Sequence, residues 1–98
     1  MEPLGYAALD KMYSLAELDR EARRLARWIA DRRIPKDGAV AFAERLRIGG
    51  RVARLVGHDP RLPAVLWGGR TGLRDLARAY RKYQAQIAPR ARKFLEAL

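Results

Sequence analysis

Ser14-Leu15-Ala16-Glu17-Leu18-Asp19-Arg20-Glu21-Ala22-Arg23-Arg24-Leu25-Ala26-Arg27-Trp28-Ile29 is the stretch whose reading decides the fold class. Leu15, Leu18, Ala22, Leu25 and Ile29 recur at 3-4-3-4 spacing, the period that gathers side chains on one side of an α-helix. Arg20, Arg23 and Arg27 fall on the other side among Glu17, Glu21 and Asp31, at the three- and four-residue distances where opposite charges meet on a helix surface. Ser14-x-x-Glu17 has the form of a capping box, so a helix is predicted to begin at Ser14 and to end near Arg33, before Pro35. Upstream, Tyr6 to Tyr13 reads as a separate short lead-in helix packed at one end of a bundle.

Downstream, Pro35-Lys36-Asp37-Gly38 is a tight connection, with Asp37 placed to cap a second helix. That helix is predicted to run through the apolar residues Phe42, Ala43, Leu46, Val52, Ala53, Leu55 and Val56 and to stop at Gly57. Gly49 and Gly50 sit in its centre, where each costs roughly 1 kcal/mol relative to alanine. Their presence predicts close approach of a neighbouring helix, a partner chain or a ligand, with helix packing preferred. On that reading Gly50→Ala destabilises the fold or a dimer. Asp59-Pro60 and Leu62-Pro63 both push the residue before proline out of the helical region, so His58 to Pro63 is an extended elbow. Asp59, Pro60, Leu62 and Pro63 would shape it and Trp67 would anchor it. After the Gly68-Gly69-Arg70-Thr71-Gly72 loop, a last helix starting around Leu73 places Leu73, Leu76, Tyr80, Tyr83, Ile87, Phe94 and Leu98 on one stripe, with Pro89 expected to kink or interrupt it. No internal repeat or period-2 alternation appears. The expected fold is all-α: one domain over residues 1–98, a small antiparallel bundle of about four helices with a proline-containing elbow.

The composition narrows the chemistry. The 98 residues include one Ser, one Thr, one His, no Asn and no Cys. Few nucleophiles or general bases remain, and catalytic residues are not expected. His58 has no second histidine or any cysteine to share a metal with, and no metal or cofactor site is assigned. No apolar run approaches the roughly 20 residues that a bilayer requires. Met1 to Tyr6 lacks a basic region leading into an apolar segment, so a cytoplasmic protein without membrane contact is expected.

Charge is the strongest compositional signal. Net charge is +10, with 17 arginines among 21 basic residues. Residues 1–50 carry 10 basic and 8 acidic side chains, whereas residues 51–98 carry 11 and 3. At about 100° per residue, Arg74, Arg78, Arg81 and Arg92 share one face of the last helix. Guanidinium forks match phosphate geometry, so these four form a candidate polyanion-binding ridge that competes with a merely solvated face.

Three groups of residues, in this order, resemble the helical C-terminal domain of PaaX-type repressors of phenylacetate catabolism. They are Ala41-Phe42-Ala43-Glu44-Arg45-Leu46, the elbow Asp59-Pro60-Arg61-Leu62-Pro63, and Tyr83 with Ile87-Ala88-Pro89 and Ala91-Arg92-Lys93-Phe94. The likeness spans roughly residues 25–95. Where that family tends to carry His-Glu-Tyr-Arg-Arg, this chain has Gly50-Arg51-Val52-Ala53-Arg54. The resemblance implies a non-catalytic regulatory module that self-associates as a homodimer, with an aryl-acyl-CoA as the effector to test. A DNA-binding domain or subunit would read the operator. The alternative drawn from charge alone is a small basic helical protein that binds nucleic acid or a ribonucleoprotein through the arginine ridge.

Overall fold

A computed structural model describes residues 3–59, 61 and 64–98. Three α-helices carry the fold: α1 Pro3–Asp31, α2 Gly38–Gly57 and α3 Gly72–Glu96, with a single 3-10 turn, Ala64–Trp67, before α3. All regular structure among the described residues is helical, which agrees with the all-α expectation. The helix count is three rather than about four. The lead-in segment does not stand alone, because α1 runs unbroken through Tyr6, Tyr13 and Ser14. Residues 6–31 contain neither Gly nor Pro to stop a helix, so Ser14-x-x-Glu17 lies inside a helix instead of opening one.

Asp37 caps α2 as its spacing suggests, with its Oδ1 accepting from the Val40 amide at 3.1 Å. α2 ends at Gly57. α3 continues through Pro89 to Glu96. Proline removes the bond to the carbonyl four residues back, here that of Ala85. Both residues are exposed, so water can satisfy the freed carbonyl and the helix need not break.

α3 is the spine, packed along both other helices, while α1 and α2 touch each other sparingly. Asp19 meets the start of α3, and Ala30 lines a groove with Ala79 and Lys82, so α1 and α3 run parallel. Gly38 lies against Phe94 and Gly49 against Tyr80, so α2 runs antiparallel to α3. The up-down-up arrangement is elongated, 62 × 22 × 17 Å.

The α1 stripe is buried in full: Leu15, Leu18, Ala22, Leu25 and Ile29 all face the core. From α3 come Leu76, Tyr83, Ile87 and Ala91, with Leu73, Tyr80 and Phe94 half-buried, whereas Leu98 does not join the stripe: it lies beyond the end of α3 and is exposed. α2 buries only part of its apolar residues. Its buried positions are Ala41, Glu44, Ile48 and Val52, whereas Ala43, Leu46, Ala53 and Val56 are exposed. This helix is apolar on two sides, and hydrophobicity alone does not choose between them.

Two long-range contacts fix the frame. The Gly72 amide at the start of α3 donates to Asp19 Oδ1 at 2.6 Å, so α1 supplies the cap that α3 lacks locally. A Cβ at Gly72 would meet the Asp19 backbone, which is why this first turn needs glycine. At the other end, Arg90 Nη1 donates to the carbonyls of Ile34 and Pro35 at 3.0 and 2.7 Å, tying the α1–α2 connection to α3.

Candidate functional site

Glu44 is 3% exposed, and a buried carboxylate is costly unless its oxygens are satisfied. Tyr83 donates its hydroxyl proton to Oε2 at 2.9 Å, and Arg32 places Nε and Nη2 each 2.5 Å from Oε1. The Arg32 guanidinium also lies 5.3 Å from the centre of the Trp28 ring, within cation–π range. One buried acid thereby connects α2, α3 and the end of α1. Burial, then the hydrogen bond to Glu44 and its charge, raise the Tyr83 hydroxyl well above its ordinary pKa. In the sequence the network leaves one sign, a lone Glu on the side of α2 that also carries Ala41 and Ile48.

All four ridge arginines are exposed on α3. Among the described residues the salt bridges are Arg23–Asp19 and Arg32–Glu44, so Arg74, Arg78, Arg81 and Arg92 are in none. The structure brings Arg78 together with Lys82 from α3 and with Arg23 and Arg27 from α1, around a groove of about 440 Å³. Ala26, Ala30 and Ala79 line it, and Asp75 is its acid, engaged by the Thr71 hydroxyl at 3.0 Å. Arg92 does not join this group: it lies eleven positions beyond Arg81, about 16 Å along the axis. Helical period places Arg23 and Arg27 only on the polar side of α1, among Glu17, Glu21 and Asp31, and does not single out Lys82. The signal was available in Ala26 and Ala30, whose small side chains let α3 approach and bring the flanking cations to the groove.

The two central glycines have different surroundings. A Cβ at Gly49 would lie 3.1 Å from the Tyr80 hydroxyl, whereas one at Gly50 would meet nothing within 4 Å. Within one chain the close approach is at Gly49. Gly50 instead belongs to an exposed, uncharged stripe along α2 made of Ala39, Ala43, Leu46, Gly50, Ala53 and Gly57. Their 4-3-4-3-4 spacing keeps them on one face.

Of the elbow residues, Pro60, Leu62 and Pro63 lie outside the described residues. Asp59 Oδ1 accepts from the Arg61 amide at 2.8 Å, and the segment is not extended as expected: His58 closes α2 in a helical conformation and Arg61 takes a positive φ of 55°. Trp67 is half-buried, and its carbonyl accepts from the backbone and the side chain of Arg70 at 3.0 and 3.1 Å. Among the described residues no three His, Cys, Asp or Glu side chains cluster for a metal, and no helix is long and apolar enough to cross a membrane. Comparison with protein-family models, curated proteins and solved structures finds no match for this chain.

Proposed function

We propose that the chain is a non-catalytic, cytoplasmic regulatory module, similar to the C-terminal domain of PaaX-type repressors, that pairs with a copy of itself through the exposed face of α2. The observation that carries this reading is the uncharged stripe from Ala39 to Gly57, in which Leu46 is 63% exposed. At a net charge of +10, copies repel wherever their arginine-bearing faces meet. The α2 stripe gives a copy small side chains, close backbone approach and no charge on the meeting line. In sedimentation, the wild type is expected to dimerise at micromolar concentration and Leu46→Arg to remain monomeric with unchanged helicity. A wild-type monomer at high micromolar concentration would overturn the reading.

A second reading is favoured by the α1–α3 groove: Arg23, Arg27, Arg78 and Lys82 could track a phosphate backbone, with Arg74 and Arg81 extending the contact. It calls for a polyanion such as nucleic acid, and a DNA-binding partner is compatible with it. An aryl-acyl-CoA effector belongs to the resemblance alone.

A further inference from the structure

On the other side of α1, the cleft facing α2 has a different composition. Arg24, Arg51 and Arg54 line it with a single acid, Glu21, and none of the three arginines is in a salt bridge among the described residues. Leu25 and Leu55 supply its apolar wall, and Trp28, 43% exposed, completes it. The Trp28 ring is held in place. Arg32 lies over it, and Arg32 is itself tied to buried Glu44 through Nε and Nη2, each at 2.5 Å.

We propose that this cleft binds a nucleotide unit, with the flat base laid on Trp28 and the phosphate held by Arg24, Arg51 and Arg54. Three guanidinium groups around one opening repel one another until an anion enters. A phosphate, with up to two charges and three acceptor oxygens, answers them better than a singly charged carboxylate. The half-exposed indole supplies what a bare anion site lacks, a π-face on which any base can stack. The volume, about 310 Å³, is at the small end of ligand clefts, roughly 300 to 1,000 Å³, and suits one nucleotide rather than a folded polymer. The same unit can come from a free nucleotide or from a single strand. Leu46→Arg alters none of the cleft residues, so the cleft can be tested in the variant that separates the copies.

The test uses Trp67→Phe protein, so that Trp28 alone reports by fluorescence, titrated with ADP, inorganic pyrophosphate and a short oligothymidylate at fixed salt. ADP is expected to quench Trp28 saturably, and Arg51→Gln or Arg54→Gln to weaken binding about tenfold each, the loss of one charge-assisted hydrogen bond. Calorimetry on Trp28→Leu should show weaker ADP binding with pyrophosphate binding unchanged. An oligothymidylate that binds more tightly than ADP identifies a strand as the source, and one that does not identifies the free nucleotide. The proposal is overturned if neither ADP nor the oligomer changes Trp28 emission, if both arginine variants bind as the wild type, or if Trp28→Leu binds ADP unchanged.

Discussion

Glu44 obtains its partners from segments 12 and 39 residues away, Arg32 and Tyr83. The consequence is measurable through Tyr83. An unfolded tyrosine ionises near pH 10, while the folded Tyr83 keeps its proton because burial and the Glu44 carboxylate both disfavour the phenolate. Above about pH 10 the unfolded chain therefore binds fewer protons than the folded one, and stability falls with rising pH, by up to about 1.4 kcal/mol per pH unit from this residue. The contribution is fully present below pH 10 and is lost as the pH climbs toward the folded value. Denaturant unfolding between about pH 9 and 11 should show a steeper loss in the wild type than in Tyr83→Phe. At neutral pH the variant should be less stable by about 1 to 2 kcal/mol, since one oxygen of a buried carboxylate loses its donor. Parallel pH profiles for the two proteins would contradict this account.

At the scale of the element, α2 is the informative helix. It turns Ala41, Ile48 and Val52 inward with Glu44, and leaves Leu46 and Gly50 facing out. The surroundings of its glycines reverse the sequence-based expectation for Gly50 within a single chain. Gly50→Ala adds a methyl in open space and should raise the thermal stability of the monomer by up to about 1 kcal/mol through helix propensity. Gly49→Ala places its methyl 3.1 Å from the Tyr80 hydroxyl, and displacing that side chain should cancel the gain. If α2 pairs with a copy across Gly50, the same alanine should weaken the dimer while strengthening the monomer. Thermal melts run at low and high protein concentration separate the two effects, and a Gly50→Ala monomer that melts below the wild type would refute the assignment of open space.

At the scale of the molecule, the parallel packing of α1 on α3 decides what the charge can do. The same cations on separated faces would be a diffuse positive surface, whereas here Arg23, Arg27, Arg78 and Lys82 border one groove. If that groove meets a polyanion, binding should be indifferent to sequence and should weaken steeply with salt, because each neutralised phosphate releases counterions. Replacing Arg74, Arg78 and Arg81 together by Gln should lower the affinity for a duplex oligonucleotide. Its dependence on salt should flatten by roughly one unit of slope for each phosphate no longer neutralised. Unchanged affinity and slope in the triple variant would show the ridge to be a solvated face and nothing more.

The helices were legible in the residues apart from the start of α1, which runs through the Ser14 capping box, because periodicity and caps act locally. The stripe from Leu15 to Ile29, the Asp37 cap and the Gly57 stop each depend on neighbours within a few positions, and each is where the pattern puts it. The ridge arginines share a face for the same reason. What needed the tertiary structure is everything that couples distant segments. Asp19 caps α3 across 53 residues, and Glu44 is buried because Tyr83 and Arg32 converge on it. The core side of α2 followed from those partners, since a helix that is apolar on two faces has no preference until another helix covers one. The two clefts flanking α1 arise in the same way: helical period assigns an arginine to a face, but only packing decides which faces meet and which charges end up without a counter-ion.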